Sequence, residues 1–178
     1  MLFRSIGYPE KQGLYDPANE KDNCGVGFVV NVRGEKTNGI IKKGLKVLVN
    51  LTHRGAVGAD PKTGDGAGIL VQIPDEFFRI SCDNLGLELP RIGKYAVGMT
   101  FLPKEPALRF QCEGIFERIA EEEGQKIIGW RSVPVDSRNI GDTAKGTEPI
   151  IRQIFIGSTF RDESLSEDEL QEEFERRL

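Results

Sequence analysis

A cysteine set where a polar leader meets an apolar run is the feature of this chain with the most chemical potential. Cys24 stands in DNCGVG, behind LYDPANEK and ahead of FVVNV. If the peptide bond between Asn23 and Cys24 is hydrolysed, Cys24 gains an α-amine with a reference pKa of about 7.7–8.0, which can act as base for its own thiol. While residues 1–23 remain attached, the same nitrogen is an amide with no basic lone pair, and the precursor should be inert. Gly25 and Gly27 would let backbone or ligand approach the thiol closely. Without cleavage, the bland reading is a small buried hydrophobe at the start of a strand.

The rest of the composition narrows the alternatives. Most serine and cysteine hydrolases, and most zinc sites, draw on histidine, and this chain has one, His53. A chemistry that brings its own base therefore gains weight, and His53 itself reads as structural. Cys24, Cys82 and Cys112 are odd in number and unpatterned in spacing, so neither a disulfide framework nor a metal site is indicated, and reduced thiols are expected. Cys82 and Cys112 read as structural, and Trp130, in IIGWRSVPV, reads as core. The TGDGAG stretch could be mistaken for a phosphate cradle, but Gly64, Gly66 and Gly68 do not form GxGxxG, and no Lys-Ser or Lys-Thr pair follows. With 28 acidic against 24 basic side chains and no basic cluster, nucleic acid is not an expected partner. No apolar run approaches the roughly 18 residues of a membrane span, and the N-terminus lacks a secretory signal, so a cytoplasmic protein is expected.

The elements that must position these residues can be read from periodicity. A length of 178 residues with 38% hydrophobic content suits one domain with a real core. Residues 1–23 read as an extended leader, and the run from Cys24 through Val32 as a strand buried on both faces. A turn at Arg33-Gly34-Glu35 precedes an amphipathic helix with Asn38 as its cap, carrying Ile41, Leu45, Leu48 and Val49 and ending near His53-Arg54-Gly55. A Gly-rich loop then leads to a strand at 69–73, and Pro74 opens a short helix through Phe77, Phe78 and Ile80. Strands are expected at 94–102, 126–135 and 150–156, with a helix at 106–123 between the first two. The charged tail forms a helix capped by Ser166, with Leu170, Phe174 and Leu178 on one side. Such alternation alone is compatible with an α/β domain.

The runs LYDPANEKDNCGVGFVVNV and LTHRGAVGADPKTGDGAGILVQIPDEFF resemble the N-terminal class II glutamine amidotransferase domain of the glutamate synthase large subunit. The resemblance continues into WRSVPVD and QIFIGS. It implies an α+β fold, the N-terminal-nucleophile hydrolase four-layer αββα sandwich, of which this chain holds part. It also implies a leader, 1–23, removed in maturation, and residues 24–178 as the opening of the amidotransferase domain. Cys24 would then attack the side-chain amide of L-glutamine to give a thioester and ammonia, and water would release glutamate. Arg54 matches the arginine of the family's His-Arg-Gly motif, where a cation near the nucleophile favours the thiolate; as an alternative it neutralises a helix C-terminus and pairs with a loop carboxylate. The TGDGAG loop would wall the site, with Asp65 structural.

The resemblance further implies partners and cofactors outside this segment. The remainder of the glutamate synthase chain would use flavin mononucleotide (FMN) and an iron–sulfur cluster, fed by an electron-donating subunit or ferredoxin, to aminate 2-oxoglutarate. No cofactor is expected in the segment itself. The Asn-Gly pair that builds the family's oxyanion hole has no match here, since Asn38-Gly39 belongs to the turn before the first helix. Glutamine-binding residues are expected beyond Leu178, and the isolated chain is expected to be inactive. Two other readings stay open: a class II amidotransferase serving a different acceptor, and a noncatalytic partner-binding or regulatory module of the same fold.

Overall fold

The computed structural model describes residues 25–52, 55, 60, 62–159 and 166–176, together with Lys11 and Gly13. They belong to two units, one reaching to Leu70 and one starting at Val71.

In the second unit, three apolar segments with period-2 alternation form an antiparallel sheet: β1 (Tyr95–Leu102), β2 (Lys126–Ser132) and β3 (Ile150–Gly157). Their order is β1-β3-β2. Tyr95 faces Gly157 and Leu102 faces Ile150 along one edge of β3, while Lys126 faces Gly157 and Ser132 faces Arg152 along the other. An irregularity between Ile127 and Gly129 shifts the second register. Because side chains alternate along a strand, Val97, Arg131, Gln153 and Phe155 share one face, and Thr100, Trp130, Arg152 and Ile154 share the other.

A helix closes each face. The first, α2 (Asp75–Asp83), sets Phe78 edge-on against Phe155 with ring centroids 5.2 Å apart. Phe78, Cys82, Tyr95 and Phe155 make the core there, with Leu87, Leu89, Val97 and Ile128 packed around it. On the other face, α3 (Pro106–Glu122) places Phe116 against Trp130 at 6.1 Å. Trp130 Nε1 donates to Glu117 Oε1 at 2.7 Å, and Arg152 Nη1 donates to Glu113 Oε1 at 2.5 Å, while the enclosed Arg152 Nε has no acceptor. Glu105 caps α3 by accepting from the backbone N–H groups of Leu108 (2.6 Å) and Ala107 (3.0 Å). A short helix, α4 (Asp142–Thr147), lies between β2 and β3, and α5 (Glu167–Arg176) buries Phe174. Ser166 and Glu169 form a reciprocal capping box at the start of α5. Helices mixed with an antiparallel sheet give the α+β class that the resemblance implied.

The first unit holds α1 (Asn38–Asn50), preceded by a turn in which Gly34 N donates to Asn31 O at 2.9 Å. Gly34 has φ +71°, which a side chain would strain.

Several expectations are corrected. The run from Gly25 to Val30 forms no strand among the described residues, and it is far from buried: Val26 and Phe28 are 88% and 89% exposed. Residues 69–73 likewise lie in irregular backbone rather than a strand. A strand needs a paired edge as well as apolar alternation, and neither segment has one here. Thr37, with extended backbone, is the cap residue of α1, and Asn38-Gly39 form its first turn instead of preceding it. The helix ends at Asn50, before the His-Arg-Gly motif. Pro74 is the cap residue of α2 and not its first residue. β2 stops at Ser132, short of Val135, and α4 was not foreseen.

Candidate functional site

The nucleophile candidate Cys24, the supporting candidate Arg54 and His53 all lie outside the described residues. Leu178 and the leader, apart from Lys11 and Gly13, do as well. What the structure does describe is the backbone that flanks them. Gly27, three residues past Cys24, packs so closely on α1 that a Cβ built on it would lie 2.6 Å from Val47 Cγ1. Val47 sits in the last turn of the helix, six residues before His53. The segment that follows the cysteine and the helix that delivers the His-Arg-Gly motif are thus in contact, and the contact requires glycine.

Beyond α1 the chain is held by local bonds. Thr52 Oγ1 donates to Val49 O at 2.7 Å, and Gly55 N donates to Thr52 O at 3.2 Å. The Gly-rich loop is ordered at its start by Asp60, whose carboxylate accepts from Lys62 N (3.0 Å) and Thr63 Oγ1 (2.8 Å). This is the Asx-type turn that an aspartate favours. Gly66 and Gly68 meet nothing within 4 Å where a Cβ would stand, so sterics among the described residues do not explain their type.

Of the other cysteines, Cys82 is a poor nucleophile. Cys82 is fully buried in α2, and burial pushes its thiol pKa up, with the charge of Arg131 opposing the shift. Cys112 is half-buried on α3. Trp130, expected in the core, is half-buried and packs against Phe116 and the Arg152 guanidinium.

A polar cluster not anticipated from sequence ties α2 to β1. Tyr95 Oη donates to Asp75 Oδ1 at 2.8 Å, and Arg79 reaches both oxygens of Asp75 as well as the carbonyls of Leu89 and Pro90. Burial, and then the bond to Asp75, push the Tyr95 pKa well above the usual phenol range. Asp75 and Arg79 are an i,i+4 pair readable in the sequence, but Tyr95 joins them from 20 residues away. In a groove between Phe101–Lys104 and Gly146–Pro149, the Thr147 hydroxyl donates to the carbonyls of Thr143 and Ala144 at 3.4 Å.

Comparison with known proteins decides the family. A family model described as class II glutamine amidotransferases matches residues 24–178. The chain belongs to the class II glutamine amidotransferases. It is 47% identical over 151 residues to the glutamate synthase (NADPH) large chain of Bacillus subtilis, covering 85% of this chain and 10% of that protein. The glutamate synthase (NADH) of Saccharomyces cerevisiae is 47% identical over 150 residues, 82% of this chain and 7% of its own length. A ferredoxin-dependent glutamate synthase of Synechocystis is 39% identical over 137 residues, 77% of this chain and 9% of its own. This amidotransferase chain therefore spans about a tenth of the length of such relatives or less. Among its described residues no helix is long and apolar enough to cross a membrane.

Proposed function

We propose that this chain is the opening part of the glutaminase domain of a glutamate synthase large subunit, and that Cys24 is its nucleophile after residues 1–23 are removed. The observation that carries the reading is where the family match starts: its first matched residue is Cys24. A class II amidotransferase that begins at cysteine has its base in the α-amine, which agrees with a chain of one histidine.

In this reaction the amine takes the thiol proton, and the thiolate adds to the amide carbon of L-glutamine. The C–N bond breaks as the ammonium returns its proton to the leaving nitrogen, giving ammonia and a thioester. Water, activated by the same amine, then releases glutamate. Arg54 favours the thiolate by its charge, and the close contact of Gly27 with Val47 fixes the chain next to the nucleophile. The oxyanion donors and the groups that grip glutamine come from residues outside this chain, because Asn38-Gly39, its one Asn-Gly pair, opens a helix. The complete domain is the four-layer αββα sandwich, in which the sheet of the second unit supplies part of one layer.

Ammonia passes to a synthase domain that aminates 2-oxoglutarate with electrons from a partner subunit or ferredoxin, in the cytoplasm. This segment does not suit the cofactors of that step. Of the three cysteines present, Cys82 is sealed in the core, and the two that remain are too few to hold a cysteine-ligated iron–sulfur cluster. The TGDGAG spacing is not that of a phosphate loop.

Cys24→Ala in the complete enzyme tests the reading. Glutamine-dependent glutamate formation is expected to fall at least about 1,000-fold, while synthesis from added ammonium survives. Full glutamine-dependent activity would contradict a catalytic Cys24 and favour a noncatalytic module. Release of ammonia from glutamine without amination of 2-oxoglutarate in the wild type would point to another acceptor.

A further inference from the structure

Three arginines lie in or against the sheet of the second unit, and two of them are neutralised. Arg79 closes on Asp75 at 2.8 Å and Arg152 on Glu113 at 2.5 Å. Arg131 is different. It is half-buried on the α2 face of β2, yet no carboxylate among the described residues lies within ion-pair distance of it. A guanidinium never loses its proton, so a partly desolvated charge is left with no counter-ion.

Its side chain is nevertheless held. Nη1 donates to Gln153 Oε1 at 2.7 Å, and Gln153 is itself buried. The guanidinium carbon stands 5.3 Å from the centroid of the Phe77 ring, a cation–π distance. These two contacts fix the plane of the group but use only one of its nitrogens. The other nitrogens have no acceptor among the described residues, and none of them is among the fully enclosed unpaired polar atoms, so they are open to a ligand. The surroundings are apolar and half-open: Phe77 is 52% exposed, and Met99, which faces Gln153 across the ladder, is 51% exposed.

We propose that Arg131, held by Phe77 and Gln153, is a carboxylate-binding site. A planar fork of donors matches the two oxygens of a carboxylate in a bidentate pair. A single guanidinium suits a monoanion better than a phosphate dianion. Phe77 and Met99 provide an apolar floor for the carbon stem that carries the carboxylate. The site uses neither Cys24 nor its amine, and it stands or falls independently of the glutaminase reading. Its carboxylate is that of a free amino acid or that of a polypeptide side chain, and a titration separates them.

The chain labelled with ¹⁵N-arginine is titrated with L-glutamine, whose only carboxylate is on its α-carbon, and with N-acetyl-L-glutamic acid α-amide, which mimics an acidic side chain in a polypeptide. Sodium chloride at matched ionic strength is the control. The Nε–H resonance of Arg131, assigned by its loss in Arg131→Lys, is expected to shift saturably with at least one of the two compounds and not with chloride. Response to glutamine alone identifies a free amino acid, response to the capped glutamate alone identifies a polypeptide carboxylate, and response to both shows that the carboxylate group suffices. In Arg131→Lys the stabilisation of thermal unfolding by the responding compound should weaken at least about tenfold in apparent affinity, since a point charge cannot make the paired contact. No saturable shift with either compound, or an equal shift with chloride, overturns the proposal, and this wild-type readout decides even if the variant does not fold.

Discussion

At the residue scale, the surroundings of a cysteine decide what its thiol can do. A thiol becomes a nucleophile only where its anion is favoured, and the fully buried Cys82, with its pKa pushed up, is the opposite case. The role proposed for Cys24 needs an amine of its own and a chain held still beside it. The second need falls on Gly27, whose missing Cβ makes room for Val47 Cγ1. Gly27→Ala must push the segment away from α1, so kcat for glutamine hydrolysis in the complete enzyme is expected to fall about 10- to 100-fold, as small misplacements of reacting groups do. Steady-state ammonia release measures it. In the second unit, Tyr95→Phe removes one donor to Asp75 while leaving Arg79 in place. Loss of about 1 kcal/mol at pH 7 is expected from urea melts. A phenol whose folded pKa is raised contributes stability that is complete below its unfolded pKa of about 10 and lost as pH climbs beyond it. The wild type should therefore weaken as pH rises above about 10, and the phenylalanine variant should lack that share of the loss.

At the element scale, caps and close approaches carry the stability arguments. The Glu105 carboxylate is held below its usual range by the N–H groups of Leu108 and Ala107. Its contribution is present above the unfolded glutamate pKa and disappears as pH falls through the folded one, so Glu105→Gln should lower the unfolding midpoint at pH 7 by an amount that shrinks as pH falls below the unfolded value, followed by circular dichroism. Gly129 lies at the irregular step of β2, where an added Cβ would come 2.6 Å from Leu87 Cδ2. Gly129→Ala is expected to destabilise the second unit by about 1–3 kcal/mol, as overpacking does, in a denaturant melt. The elements legible in the sequence were those whose pattern is local: β1, α3 and β3 came within a residue or so of their expected bounds, and Ser166 caps α5 as its spacing to Glu169 suggests. What could not be read depends on distant partners. The alternation Val26, Phe28, Val30 looks like a strand, but whether such a run pairs is decided by an edge elsewhere. Tyr95 meets Asp75 across 20 residues, and no local pattern announces it. The Cys24 and His-Arg-Gly motifs were legible as chemistry, whereas the Gly27–Val47 contact behind them needed coordinates.

At the scale of the whole molecule, the function proposed gives a chain matching a tenth of its relatives' length a nucleophile without its oxyanion hole. The 178-residue polypeptide is expected to release no ammonia from glutamine above background, and turnover at an enzyme-like rate would contradict the division of labour proposed. The central claim is that proteolysis gives Cys24 its base, and it can be tested where thiol and terminus are read together. The complete enzyme is treated with 6-diazo-5-oxo-L-norleucine, a glutamine-like electrophile, and its peptides are mapped by mass spectrometry. The account expects the adduct on Cys24 as the first residue of the chain; an adduct on another residue, or active enzyme that still carries Met1 ahead of Cys24, would contradict it.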